Sequence, residues 1–189
     1  MTKAEWLTSV NPLQMWDEVS SNLSRRKCLL YVAECLSIVI RNHKWDAPSH
    51  YFQCILNWAD GAGNLQEVTE VWAKYSHFKE EPIDWFMNMM YISARAEDES
   101  LPTESTANLF RELFGGPFRP IALAPSWLTS DVLTLATGIY ANRAFDRMPI
   151  LADALQDTGC DNDDILNHCR QPGGHVRGCW VIDLLLGKK

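Results

Sequence analysis

Between Cys160 and Trp180 the chain carries three cysteines and two histidines: Cys160, His168, Cys169, His175 and Cys179. Thiolate sulfur and imidazole nitrogen are the donors that close a tetrahedral zinc site, and four of these five residues would suffice in number. The spacing is less suited. Zinc modules usually draw two ligands from one hairpin or knuckle through a close pair such as Cys-x-x-Cys, and no such pair occurs here. His168 and Cys169 are neighbours, which on a helix sends their side chains in different directions. The preferred reading from spacing is therefore packed cysteines and histidines that cap or satisfy local turns, with no cofactor. Zinc on these five residues is the alternative.

Other chemistries fit less well. A cysteine nucleophile, Cys160 or Cys179, could be activated by His168 or His175, but no flanking residues match a nucleophile motif. Cys179 also lies in an apolar run where burial would keep it a thiol. Asp157, Asp161, Asp163 and Asp164 lack the glycine and glutamate positions of a calcium loop. They read instead as helix punctuation, with Gly159 ending one helix and Asp161 capping the next. Gly115-Gly116 and Gly173-Gly174 precede no Lys-Ser/Thr pair and are turn glycines rather than phosphate loops. His43, His50 and His77 each stand alone beside an expected helix end, where capping or surface roles are the common ones.

These residues depend on helices for their positions. Asn11-Pro12 starts a helix through Leu13, Trp16, Val19 and Leu23, and Ser24 caps a longer one from Arg25 to Asn42. The apolar residues of that second helix cover more than one face, as in a central helix. Ser49 caps a helix stopped by Gly61-Ala62-Gly63, Asn64 starts the next, and Glu81-Pro82 opens another through Trp85 and Ile92. Pro102-Thr103-Glu104 begins a helix through Leu113. The run from Gly115 to Pro120 follows, with Ala124-Pro125, and is the densest break in the chain. Beyond it, Thr129 or Ser130 caps a helix to about Phe145, Pro149 opens one ending at Gly159, and Asp161–His168 forms a short one. Cys179–Leu186 is apolar all round and is assigned to helix. No residue pattern recurs at a solenoid period, so an all-α, non-repeating bundle is expected.

A chain of 189 residues, 47% hydrophobic and 22% charged, suits one folded domain over residues 1–189. If it subdivides, the break separates a helical bundle over 1–114 from a C-terminal helical part over 121–189. The net charge is −7, and residues 61–100 hold eight acids against Lys74, Lys79 and Arg95. Arg25-Arg26-Lys27 is the main basic cluster, too little for a nucleic-acid face, so that partner is not expected. No apolar run reaches the roughly 20 residues of a membrane span. Met1-Thr2-Lys3-Ala4-Glu5-Trp6 lacks the pattern of a secretory leader, and the cysteines are read in a reducing, cytoplasmic setting.

The stretch from Phe145 to Lys189 contains Gly-Cys-Asp-Asn at 159–162 and His-Val-Arg-Gly-Cys-Trp-Val-Ile-Asp-Leu-Leu-Leu-Gly-Lys at 175–188. With Glu5-Trp6-Leu7, Asn11-Pro12, Arg26-Lys27 and Ser126-Trp127-Leu128, it resembles a paralogue-rich family of uncharacterised planctomycete proteins over nearly the full chain. That family has no assigned activity to transfer, and its many paralogues imply recognition of varied partners. Cys28 and Cys35 are fewer cysteines than the family is expected to carry after the Arg-Lys pair. The leading expectation is a non-catalytic helical module that binds another protein. A zinc protein, structural or enzymatic, is the alternative.

Overall fold

Short polar side chains mark most helix starts. In the computed structural model, which describes residues 1–20, 24–43, 49–75, 103–116, 118 and 121–188, Asn11 Oδ1 accepts the Gln14 N–H at 3.4 Å and Ser24 Oγ that of Lys27 at 3.2 Å. Asn64 Oδ1 does the same for Glu67 at 2.7 Å. Each satisfies a backbone donor that the first helical turn would leave unpaired. The result is all-α: ten α-helices and no strand among the described residues.

The chain divides into two compact units, Met1–Arg111 and Glu112–Lys189. The division falls in the last turn of a helix, ahead of the glycine- and proline-rich break at 115–120.

The first unit contains α1 (Lys3–Thr8), α2 (Pro12–Val19), α3 (Arg25–His43), α4 (Ser49–Ala59), α5 (Leu65–Tyr75) and most of α6 (Thr103–Phe114). Helix α1 is an addition to the sequence reading: six residues are too few for periodicity to show, but Thr2 and Glu5 form a reciprocal capping box. Helix α3 buries the consecutive run from Leu29 to Ala33 together with Cys35 and Leu36, the all-round burial expected of a central helix. It packs against α4, which packs in turn against α5. Tyr31 lies against Phe110, ring centroids 4.9 Å apart. The helix expected from Pro82 lies outside the described residues.

The second unit contains α7 (Ser130–Asn142), α8 (Met148–Asp157), α9 (Asp163–Arg170) and α10 (Trp180–Leu185), with single 3₁₀ turns at Pro125–Trp127 and Phe145–Arg147. Thr129, not Ser130, caps α7. That helix stops at Asn142, short of Phe145, because Arg143 takes a left-handed conformation at φ 53°. The cap of α9 is Asn162 rather than Asp161: its side chain accepts the Ile165 N–H at 3.2 Å, with Asp163 and Asp164 in the positive first turn.

One core joins these helices. Val132, Ala136 and Ile139 of α7 meet Met148, Leu151 and Leu155 of α8, Ile165 and Cys169 of α9, and Val181, Ile182 and Leu185 of α10. Each such aliphatic side chain contributes about 1.5–3 kcal/mol by leaving water. This frame fixes both ends of the segment from Arg170 to Trp180. No helix among the described residues is long and apolar enough to cross a membrane.

Candidate metal centre

On α9, successive residues are turned by about 100° around the axis, so neighbouring side chains face different surroundings. Cys169 follows Ile165 by one turn and joins the core. His168, one position earlier, leaves that core for a polar group. After Arg170 the chain extends through Gln171, whose ψ of 137° ends the helix. The loop then returns through His175 and Val176 to Cys179, which stands immediately before α10.

Opposite these residues stands Glu112, in the last turn of α6. Its Oε1 accepts from His175 Nδ1 at 3.0 Å and from the Val176 N–H at 3.3 Å, pinning the returning loop. Its Oε2 lies 3.3 Å from His168 Nε2, and that nitrogen lies 3.2 Å from Cys179 Sγ. One donor atom from each of Glu112, His168, His175 and Cys179 falls within 4.8 Å of the other three. This is the one such group among the described residues.

The group is shielded from solvent. Side-chain exposure is 8% for Glu112, 7% for His168 and 4% for His175, and Cys179 is fully buried. Trp180 covers one side of the His168 ring at 5.1 Å between centroids, and His175 meets it edge-on at 5.0 Å. Gly115 lets Trp180 sit there, since a Cβ on that residue would fall 2.8 Å from the indole.

Charge in this setting is regulated by burial and by the partners together. Burial pushes the Glu112 carboxyl up, but the His175 hydrogen bond and the attraction of both imidazoles bring it below its usual range. Burial drives His168 down to about 4 against the pull of Glu112, so its ring is neutral at pH 7. Burial also raises the Cys179 thiol well above the ordinary value. Without a metal, then, one carboxylate gathers hydrogen bonds from its neighbours. One atom stands outside this network: His175 Nε2 is buried without a hydrogen-bond partner among the described residues.

Of the five residues singled out from sequence, the structure brings together His168, His175 and Cys179. Cys160 and Cys169 lie in the apolar core instead, with their thiols raised by burial, Cys169 to about 12. Both histidines stand beside Glu112, and His168 Nδ1 also meets Gln171 in the local turn, the kind of contact that spacing suggested. His168, His175 and Cys179 meet without a close pair in sequence because the loop between Gln171 and Gly178 returns to α9.

Glu112 escaped the sequence reading. Its signal was faint: it follows Leu109 by three residues, at the edge of the face that buries Thr106, Leu109, Phe110 and Leu113. The side chains of His43 and His50, and all of His77, lie outside the described residues.

The nucleophile arrangement is half present. Cys179 and His168 are within reach of each other, yet a thiol with no exposure and a raised pKa offers a substrate neither access nor a thiolate. No known protein family, curated protein or solved structure matches the chain.

Proposed function

We propose that the C-terminal unit is a metal-binding module in which Glu112, His168, His175 and Cys179 hold one divalent transition-metal ion, zinc before others, in a structural role. The observation that carries this reading is the convergence of four buried donors from α6, α9 and the loop before α10 within 4.8 Å. Zinc bonds of about 2.0–2.3 Å in a tetrahedron separate nitrogen, oxygen and sulfur donors by about 3.3–3.6 Å. The 3.2 and 3.3 Å edges at His168 Nε2 are close to that already, and binding contracts the longer ones.

Charge and donor type both favour this metal class. A carboxylate and a thiolate beside two neutral imidazoles balance a dication, and a buried site tolerates little net charge. Sulfur and imidazole select zinc and its neighbours over magnesium or calcium. Four protein donors with little exposure leave no open position for water or substrate, which separates structural zinc from catalytic zinc. His175 contributes a second, buried nitrogen, Nε2, with no hydrogen-bond partner among the described residues.

This reading places zinc binding ahead of the protein-interaction role expected from sequence, and keeps the cytoplasm as the compartment in which such a thiol stays reduced. Metal analysis of protein purified without chelator tests it. About one equivalent of zinc is expected, lost in the Cys179→Ala and Glu112→Ala variants. Less than about a tenth of an equivalent, unchanged after incubation with zinc, overturns it, because structural sites bind tightly.

A further inference from the structure

Gln171 is the residue immediately after α9, exposed to solvent, and its side-chain amide reaches back to the inner histidine: Nε2 lies 3.2 Å from His168 Nδ1. In this orientation the amide donates, Nδ1 accepts, and the ring proton of neutral His168 belongs on Nε2, facing Glu112 Oε2 at 3.3 Å. A metal ion needs the opposite tautomer. It binds the Nε2 lone pair, so the ring proton must move to Nδ1, where an acceptor has to meet it.

A glutamine amide serves both cases. Rotated by half a turn it presents its carbonyl oxygen in place of the NH₂ with almost no change in shape. Resting on the metal reading above, we infer that Gln171 is a positioning residue for that site: its carbonyl accepts the His168 Nδ1–H when Nε2 binds the metal, fixing the ring and raising its strength as a ligand. Gln171 does not touch the ion and acts only through His168.

Because Gln171 is exposed, its substitution leaves the apolar core intact. The variants are Gln171→Met, which keeps the length but offers no comparable acceptor, and Gln171→Glu, which can only accept. Zinc affinity is measured by competition with a chromophoric chelator, and the His168 tautomer by ¹⁵N-resolved ring NMR of the zinc-loaded protein.

The methionine variant should bind zinc 10–100-fold more weakly, the usual effect of losing such an outer partner. The glutamate variant should match or exceed wild type, and both wild type and Gln171→Glu should show the proton on Nδ1. Equal affinity in wild type and Gln171→Met, or a loss in Gln171→Glu as large as in Gln171→Met, overturns the role of Gln171 and leaves the metal site standing. A wild-type protein that takes up no zinc overturns both.

Discussion

Each unit buries charged side chains, and the two do so differently. In the first, Arg26 Nε meets Asp60 Oδ1 at 2.9 Å, with side-chain exposures of 11% and 7%: the cation and its counter-charge both belong to the chain. In the second, Glu112 is buried to the same degree, but around it stand two imidazoles, a thiol and the Val176 N–H. His168 is neutral at pH 7, and the Cys179 thiol is raised. A full ion pair is complete when the chain folds. A carboxylate shared between two imidazoles and a thiol is, on the metal reading, an arrangement that an arriving dication would complete.

Metal should therefore divide the two units. Zinc at a thousandfold excess over its dissociation constant adds about 4 kcal/mol to whichever unit binds it. Hydrogen exchange followed segment by segment, with zinc and then with chelator, should show protection gained across α9, α10 and the loop between them. The segments around Arg26 and Asp60 should not change. Equal changes in both units, or none in the second, would break the comparison.

Acid should divide them next. In the zinc-free protein His168 has a folded pKa of about 4, below its ordinary 6.5, so the unfolded chain binds more protons between these values. Stability then falls as pH drops through that window, by up to about 3 kcal/mol. Glu112 acts in the same direction: its folded pKa is depressed, so its contribution is present above 4.5 and is lost as pH falls through the folded value. Urea titrations from pH 7 to pH 4 should show the second unit weakening, and His168→Phe should flatten the slope.

Breaking one partner of each group tests the difference from the other side. Asp60→Leu removes the carboxylate 2.9 Å from Arg26 Nε and should cost about 1.5–3 kcal/mol, with or without zinc. Glu112→Gln keeps the shape and removes the charge. In zinc-free protein it should cost within about 1 kcal/mol, since the amide oxygen can still accept from His175 Nδ1 and the Val176 N–H. It should also abolish the stabilisation by zinc. A large cost for Glu112→Gln in the absence of metal would mean that the second group is a self-sufficient ion network like the first.

The helices were readable because their signals are local. Asn11, Ser24, Asn64 and Thr129 announce helix starts within three residues of the bonds they make, and the all-round apolar run of α3 marks its burial. The candidate site was readable only by composition. His168 and Cys179 are eleven residues apart, and whether they meet depends on how the loop between them folds back. Glu112 is 63 residues from His175, and no local pattern connects the two. A glutamate at the edge of an apolar helix face normally bends out to solvent; this one stays in because the loop brings it donors.

The last contrast concerns the glycine that shapes the wall of the site. Gly115 has a φ of 61°, a left-handed backbone that costs other residues strain, and a Cβ there would lie 2.8 Å from Cγ and Cδ2 of Trp180. Gly115→Ala must therefore accept the strained backbone and also push the indole away, at a combined cost of about 2 kcal/mol. Gly116 next to it is exposed, and among the described residues a Cβ there meets only Phe118 at 4.0 Å, so Gly116→Ala should change stability by less than about 0.5 kcal/mol. Because Trp180 rests on His168, its displacement should also loosen the ring that serves as a ligand in the proposed site. Zinc affinity then falls for Gly115→Ala and not for Gly116→Ala, while exchange protection around Arg26 and Asp60 is the same in both. If the two variants bind zinc equally, Trp180 is packing alone and the contrast between the two buried groups rests on Glu112 and its three partners.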